Sequence, residues 1–204
     1  VVTSRYDSSR RTAAAAVTKA SILAAAKTLF LADGYASTTV QQIARAAGVA
    51  VPTVYASAGS KADILSALIM PFTRAQPVEE TMAAVTVGTD SAEVLALTCA
   101  GVRRMHEEHR DVVTVLFPQT ESEPAAAHVY RQVIETYQEG LGVTADRLMT
   151  LGGVKPGLDR EGVLDLLWFY FGLAGWRSLC TDRGWTPERA EKWLVEAATA
   201  AILE

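Results

Sequence analysis

Cysteine is nearly absent from this sequence. Cys99 and Cys180 stand far apart in apolar surroundings, with no Cys-x-x-Cys and no neighbouring histidine. That excludes a disulfide framework and a cysteine-based zinc site, and it fits buried free thiols in a reducing cytoplasm. Long hydrophobic runs are missing as well. The most apolar stretch, Val163 to Trp176, is interrupted by Asp165 and falls short of the ~20 residues that a bilayer span needs. The N-terminus is polar and has no apolar h-region. No signal peptide and no membrane partner are therefore expected, and the expected localisation is cytoplasmic. No Gly-rich phosphate loop follows a strand pattern, no Gly-x-Ser-x-Gly occurs, and no nucleophile–base pair stands out. The sequence thus points away from an enzyme, a cofactor or a metal.

What is present is a chain of 204 residues, half of them hydrophobic and 21% charged, which suits a folded protein with a real core. Alanine and leucine are plentiful and strand formers scattered, so the expected fold class is all-α. The net charge of −4 is unevenly spread. Residues 1–61 hold seven Lys/Arg and two acids, a net of +5, while the remainder nets −9. A basic head on an acidic body is the pattern of a polyanion-binding module joined to a domain of another kind.

Residues 1–12 carry three arginines and three serines and read as a flexible basic arm, in which Arg10 and Arg11 are candidate minor-groove contacts. From Ala13 to Asp33 the apolar residues Val17, Ile22, Ala25, Ala26, Leu29 and Phe30 share one helical face, and Gly34 ends the helix. A Ser-Thr-Thr cluster then precedes a short helix expected over Val40–Ala46. Gly48 supplies the sharp turn, Val49 plugs the angle, and Pro52 suits the first turn of a third helix. Short helix, glycine turn and short helix make a helix-turn-helix pattern.

The match is closer than that generic pattern. Residues 22–65 contain Phe-x-x-x-Gly-Tyr at the end of the first helix, then Thr-Thr-Val, Ile-Ala-x-x-Ala-Gly-Val, Thr-x-Tyr and Ser-Lys-x-x-x-Leu, in that order. This segment resembles the DNA-binding domain of TetR-type transcriptional regulators. One position departs: Ala58 stands where the family usually has an aromatic that packs the third helix onto the first. The resemblance implies a homodimer whose third helices enter successive major grooves of double-stranded DNA at a palindromic operator. Thr39 and Arg45 would meet the backbone from the second helix, and Gln41 and Gln42 the backbone or the bases. Ala50, Val51, Pro52, Thr53, Ala56 and Ser57 would face the bases, and Tyr55 and Lys61 would hold phosphates. The third helix carries no Arg, Lys, Asn or Gln. Its specificity would therefore rest on methyl and hydroxyl contacts and on DNA shape.

Beyond Pro71 the expected helices are 61–76, 91–109, 111–117, 124–151, 160–182 and 187–203, with loops at Pro118–Pro124 and Gly152–Gly157. Pro71 is expected to bend or break the first of these. The helix at 160–182 is apolar around most of its surface, so both its sides need cover. The division is then 1–12 arm, 13–60 helix-turn-helix DNA-binding domain and 61–204 helical effector-binding and dimerisation domain. The family resemblance implies a dimer interface from the last two helices, with Gly172, Gly175, Trp176, Leu179, Trp193, Leu194 and Ala197 as candidates. It also implies a small-molecule pocket, for which Met105, His109, Phe117, Tyr137, Met149, Trp168 and Phe169 are candidates. The His-Glu-Glu-His run at 106–109 has its histidines three apart with no third ligand on their face. It reads as a solvated, partly polar helix end, with a metal or polar-ligand role as the lesser alternative.

The expected function is a DNA-binding transcriptional regulator, most simply a repressor released from its operator by a small apolar ligand. The alternative is a helix-turn-helix fold used as a protein-interaction module that has lost DNA binding.

Overall fold

The computed structural model describes residues 3–122 and 124–204, and side chains from residue 12 onward apart from 114, 121 and 122. The described residues form helices and no strand, with one isolated antiparallel bridge between Val154 and Leu203. The chain divides into two compact units, Val1–Met70 with Val115–Tyr130, and Pro71–Thr114 with Arg131–Glu204.

In the first unit, α1 spans Thr3–Asp33, α2 Val40–Ala46, α3 Val51–Ala58 and α4 Lys61–Ile69. Helical backbone thus starts ten residues before the apolar periodicity does. Residues 1–2 and the side chains of Arg10 and Arg11, expected in a flexible arm, lie outside the described residues. α1 packs on α2, α3 and α4 through Ile22, Ala26 and Phe30, which are fully buried, while Val17 is exposed. Its segment from Thr12 to Asp33 is long and apolar enough to cross a membrane by length and composition, yet its apolar stripe is used to seat the neighbouring helices. Gly34, at φ +84°, closes α1 in a conformation that costs a glycine little. The chain then buries Tyr35 against Phe30, ring centroids 5.2 Å apart. Ile43, Ala44, Val54 and Leu65 complete this core from α2, α3 and α4. The segment 115–130 adds a short α7, Pro118–Ser122, where a loop is expected, then a 3₁₀ turn at Pro124–Ala126 that packs on α4.

In the second unit the expected helix across Pro71 gives way to a 3₁₀ turn over Met70–Arg74. A helix α5 then runs Gln76–Val87, through a stretch that lies between the expected helices. Next come α6 (Ser91–Glu108), a π-helical turn at Val112–Leu116, α8 (Ala127–Leu151), α9 (Arg160–Phe171), α10 (Leu173–Trp176), a second π turn at Arg177–Asp182 and α11 (Pro187–Ile202). The expected single helix over 160–182 is therefore broken at Gly172. A Cβ there would sit 2.3 Å from the Trp168 carbonyl oxygen, a contact no other residue can make. The core is formed by Val94, Leu95, Cys99, Leu148, Val163, Leu167, Phe171, Trp176, Leu194 and Ile202, among others. α11 packs on both α6 and α9.

Candidate nucleic-acid interface and effector cavity

The helix-turn-helix is held by local chemistry. Thr39 caps α2: its hydroxyl oxygen accepts from the Gln42 N–H at 3.2 Å, while the Gln42 side-chain carbonyl accepts from the Thr39 N–H at 2.7 Å. The Thr39 hydroxyl also donates to that carbonyl, 2.9 Å away. Two of the four residues expected at the DNA from the second helix are thus engaged with each other in a reciprocal cap. Gln41 and Arg45 are exposed. Gly48 turns the chain at φ +68°, and the Val49 N–H donates to the Ala44 carbonyl at 3.0 Å. Pro52 sits in the first turn of α3, whose N-cap Ala50 offers no side-chain bond.

α3 is anchored by fully buried Val54. Its outer side presents Pro52, Tyr55 and Ala56, with Tyr55 55% exposed, and Val51, Thr53 and Ser57 half-buried beside them. Ala58, in place of an aromatic, is half-buried. The helix tip is a surface of methyls and hydroxyls with one phenol. Ser60 and Asp63 cap α4 reciprocally, and hydrogen bonds from Ser60 hold the Asp63 carboxyl below its usual range. Gly59, at φ +81°, is required twice over, since a Cβ there would also meet Asp63 Oδ2 at 2.6 Å.

Lys61 faces inward. Its ammonium donates to the Tyr35 carbonyl at 2.8 Å and the Thr38 carbonyl at 3.0 Å, and lies 4.1 Å from the centroid of the Tyr35 ring. It ties the start of α4 to the loop that follows α1. Gln119 does the same from far along the chain: its carbonyl oxygen accepts from the Tyr35 N–H at 2.5 Å, and its amide donates to the Phe30 carbonyl at 3.4 Å. Sequence reading missed Gln119, because a cap supplied 84 residues away leaves no local pattern.

In the second unit a cavity opens between α5, α6 and α8. It has an empty volume of about 470 Å³, its solvent-open mouth included. Thr73, Val78, Thr81, Met82, Thr98, Gly101, Val102, Met105, Thr136, Tyr137, Gly140 and Leu141 line it. Two of the expected pocket residues, Met105 and Tyr137, are among them. Trp168 stands edge-on to Tyr137, ring centroids 5.7 Å apart. His109 caps the end of α6 and tilts against Phe72. Phe117 stacks on Tyr130 in the first unit. Met149 and Phe169 turn outward, 41% and 70% exposed. The lining hydroxyls are largely spent on backbone: Thr81 donates to Pro77 O at 2.6 Å, Thr98 to Val94 O at 2.8 Å and Tyr137 to Phe171 O at 2.8 Å. Burial raises the Tyr137 phenol well above its ordinary pKa, and it raises the Cys99 thiol likewise.

The expected solvated helix end at 106–109 is corrected on one side. The His106 ring is stacked on Trp176 at 5.1 Å, and burial pushes its pKa down to about 4. Its Nε2 and the Trp176 Nε1 are buried without a protein partner. Among the described residues no group of three or more His, Cys, Asp or Glu is placed to hold a metal ion. Of the expected interface residues, Trp176 and Leu194 are fully buried in their own subunit's core, and Gly172 is buried too. Gly175, Leu179 and Ala197 are half-buried, whereas Trp193 is 46% exposed. Trp193 meets Trp185 edge-on, and Arg189 lies 3.9 Å over the Trp185 ring.

Residues 22–68 match the family described as bacterial regulatory proteins, tetR family. No curated protein matches the chain. Solved structures do. The transcriptional regulator FadR of Bacillus subtilis, in complex with stearoyl-CoA, superposes with a TM-score of 0.72 at 20% identity, over 89% of this chain and 98% of FadR. NalD, the secondary repressor of the MexAB-OprM multidrug efflux pump in Pseudomonas aeruginosa, gives 0.71 at 24% identity, over 92% and 96%. SmeT in its complex with triclosan gives 0.68 at 18% identity, over 92% of each chain. At these identities the solved structures establish the shared fold, and the matched segment runs from within α1 through most of α4 and contains the capped hairpin of α2 and α3. Residues 22–68 thus match the tetR family of bacterial regulatory proteins, and the chain shares its fold with FadR, NalD and SmeT.

Proposed function

We propose that this protein is a ligand-responsive, sequence-specific DNA-binding regulator that acts as a cytoplasmic homodimer. In the simplest form it is a repressor released from a palindromic operator by a small apolar effector. The observation that carries the reading is the hairpin itself. α3 is anchored by Val54 and capped by Gly59, and it offers Tyr55, Thr53, Ala56 and the Val51–Pro52 edge on the basic part of the chain. Residues 13–60 would be the reading head and 61–204 the effector and dimerisation region. Two such heads on a two-fold axis would contact grooves about one DNA turn apart, roughly 34–36 Å.

In this reading the cavity between α5, α6 and α8 takes the effector, in keeping with the stearoyl-CoA held by FadR and the triclosan held by SmeT. An effector that prefers another head spacing lowers operator affinity, and DNA then lowers effector affinity by the same factor. Exposed Phe169 and Trp193 support a partner surface along α9 and α11, since exposed large aromatics are the residues an interface core favours. The test is selection of bound sequences from random duplex DNA by the full chain, with Tyr55→Ala as control. A two-fold symmetric motif that Tyr55→Ala fails to enrich is expected. No enrichment at low salt from a folded wild-type dimer would overturn the reading in favour of a protein-interaction module.

A further inference from the structure

Two glycines line the cavity, for opposite reasons. At Gly101 a Cβ would sit 2.1 Å from Thr81 Oγ1 and 2.6 Å from its Cγ2, so glycine is what lets α6 lie against α5. At Gly140 a Cβ would meet nothing closer than Met82 Sδ at 3.9 Å. Gly140 lies inside α8, a helix of 25 residues, where glycine is less favourable than alanine. An unfilled apolar cavity costs more on top. Packing therefore does not require glycine at 140, and a larger side chain there would improve both terms. What the glycine leaves is space.

The chemistry of that space is equally defined. No lining residue is Asp, Glu, Lys, Arg or His. The Thr81, Thr98 and Tyr137 hydroxyl protons are committed to carbonyls of the protein's own backbone, and Thr98 also shares a hydrogen bond with Thr144 at 3.0 Å. A carboxylate, phosphate or ammonium entering here would lose its hydration without gaining a counter-charge. A neutral hydrophobe would lose nothing, and Met82 and Met105 would adapt to its outline.

We infer that this cavity selects an electroneutral hydrophobic ligand, with at most a hydroxyl or similar uncharged group, and that Gly140 sets the size of ligand it admits. The inference rests on the reading of this cavity as the effector site. It is tested without DNA, so that its failure and the failure of the regulator reading are separable.

The test uses the full chain and three probes that share one alkyl chain: 1-octanol, octanoate and octylammonium at pH 7.5. Binding is followed by calorimetric titration and by the shift in thermal midpoint. 1-Octanol is expected to bind wild type and raise its midpoint, with octanoate and octylammonium at least tenfold weaker. Gly140→Leu is expected to remove 1-octanol binding while the unliganded midpoint stays equal or rises. Gly140→Ala adds only a methyl into open space; it is expected to raise the midpoint and to weaken 1-octanol several-fold, which covers the case in which the leucine variant does not fold. Octanoate or octylammonium binding as tightly as 1-octanol would overturn the inference. So would absence of 1-octanol binding up to its solubility, or undiminished binding in both Gly140 variants.

Discussion

Lys61→Met separates two roles that one lysine is able to play. In the structure the ammonium bridges the Tyr35 and Thr38 carbonyls at 2.8 and 3.0 Å and lies over the Tyr35 ring at 4.1 Å. Methionine keeps the length of the stem and removes the head. Hydrogen bonds to a charged donor contribute about 1.5–3 kcal/mol each when buried, and these two are partly solvated, so about 1 kcal/mol each is the fair share. The cation–π contact adds about 0.5–1 kcal/mol. The sum, about 3 kcal/mol, lowers the melting midpoint by roughly 6–12 °C for a chain of this size. Scanning calorimetry measures it, with DNA affinity determined well below the variant's midpoint. An unchanged midpoint together with a tenfold or greater loss of DNA affinity would refute the clamp and make Lys61 a phosphate contact.

Three further outcomes follow from the same contacts. Gln119→Leu removes the acceptor of the Tyr35 N–H and is expected to cost about 1–2 kcal/mol. Amide exchange at Tyr35 should speed up accordingly, and unchanged protection there would contradict the assignment. Thr39→Ala breaks the cap on α2 and is expected to cost about 1 kcal/mol in urea denaturation, whereas no loss would show the cap to be idle. His106, pushed by burial from 6.5 to about 4, binds a proton in the unfolded chain before it does in the folded one. Its contribution is therefore fully present above about pH 6.5 and is lost as pH falls toward 4, by about 3 kcal/mol. Denaturation at pH 7 and pH 4.5 should show a smaller difference in His106→Phe than in wild type, and equal differences would refute this.

The parts of the fold that were legible are those written in local chemistry. Thr39, Gly48 and Pro52 mark the ends of α2 and the start of α3, and the structure keeps those boundaries to within a residue. α5 escaped because its N-cap is Ala75, with no side-chain bond, and its last turn is rich in valine and threonine, which favour helix weakly. The break at Gly172 was hidden by a run of leucines and aromatics that continues a helical pattern on both sides. The cavity was the least legible feature. It is walled mainly by threonine, glycine and small aliphatic residues, which carry no sequence signal, whereas the conspicuous aromatics Phe169 and Trp193 face outward. The resemblance leads one to expect Lys61 at a phosphate, and in the structure its ammonium meets the Tyr35 and Thr38 carbonyls of the preceding loop.

The central claim is that α3 reads DNA with methyls and hydroxyls, because nothing on it makes bidentate hydrogen bonds to guanine or adenine. Its most direct test is the affinity of the selected operator before and after each half-site thymine is replaced by uracil, which deletes one methyl and no hydrogen-bonding group. One buried methyl is worth about 0.8 kcal/mol, so about a fourfold loss is expected for each thymine that Val51, Pro52 or Ala56 touches. Full affinity for the uracil operator, with strong loss on replacing guanine by 7-deazaguanine, would contradict the account.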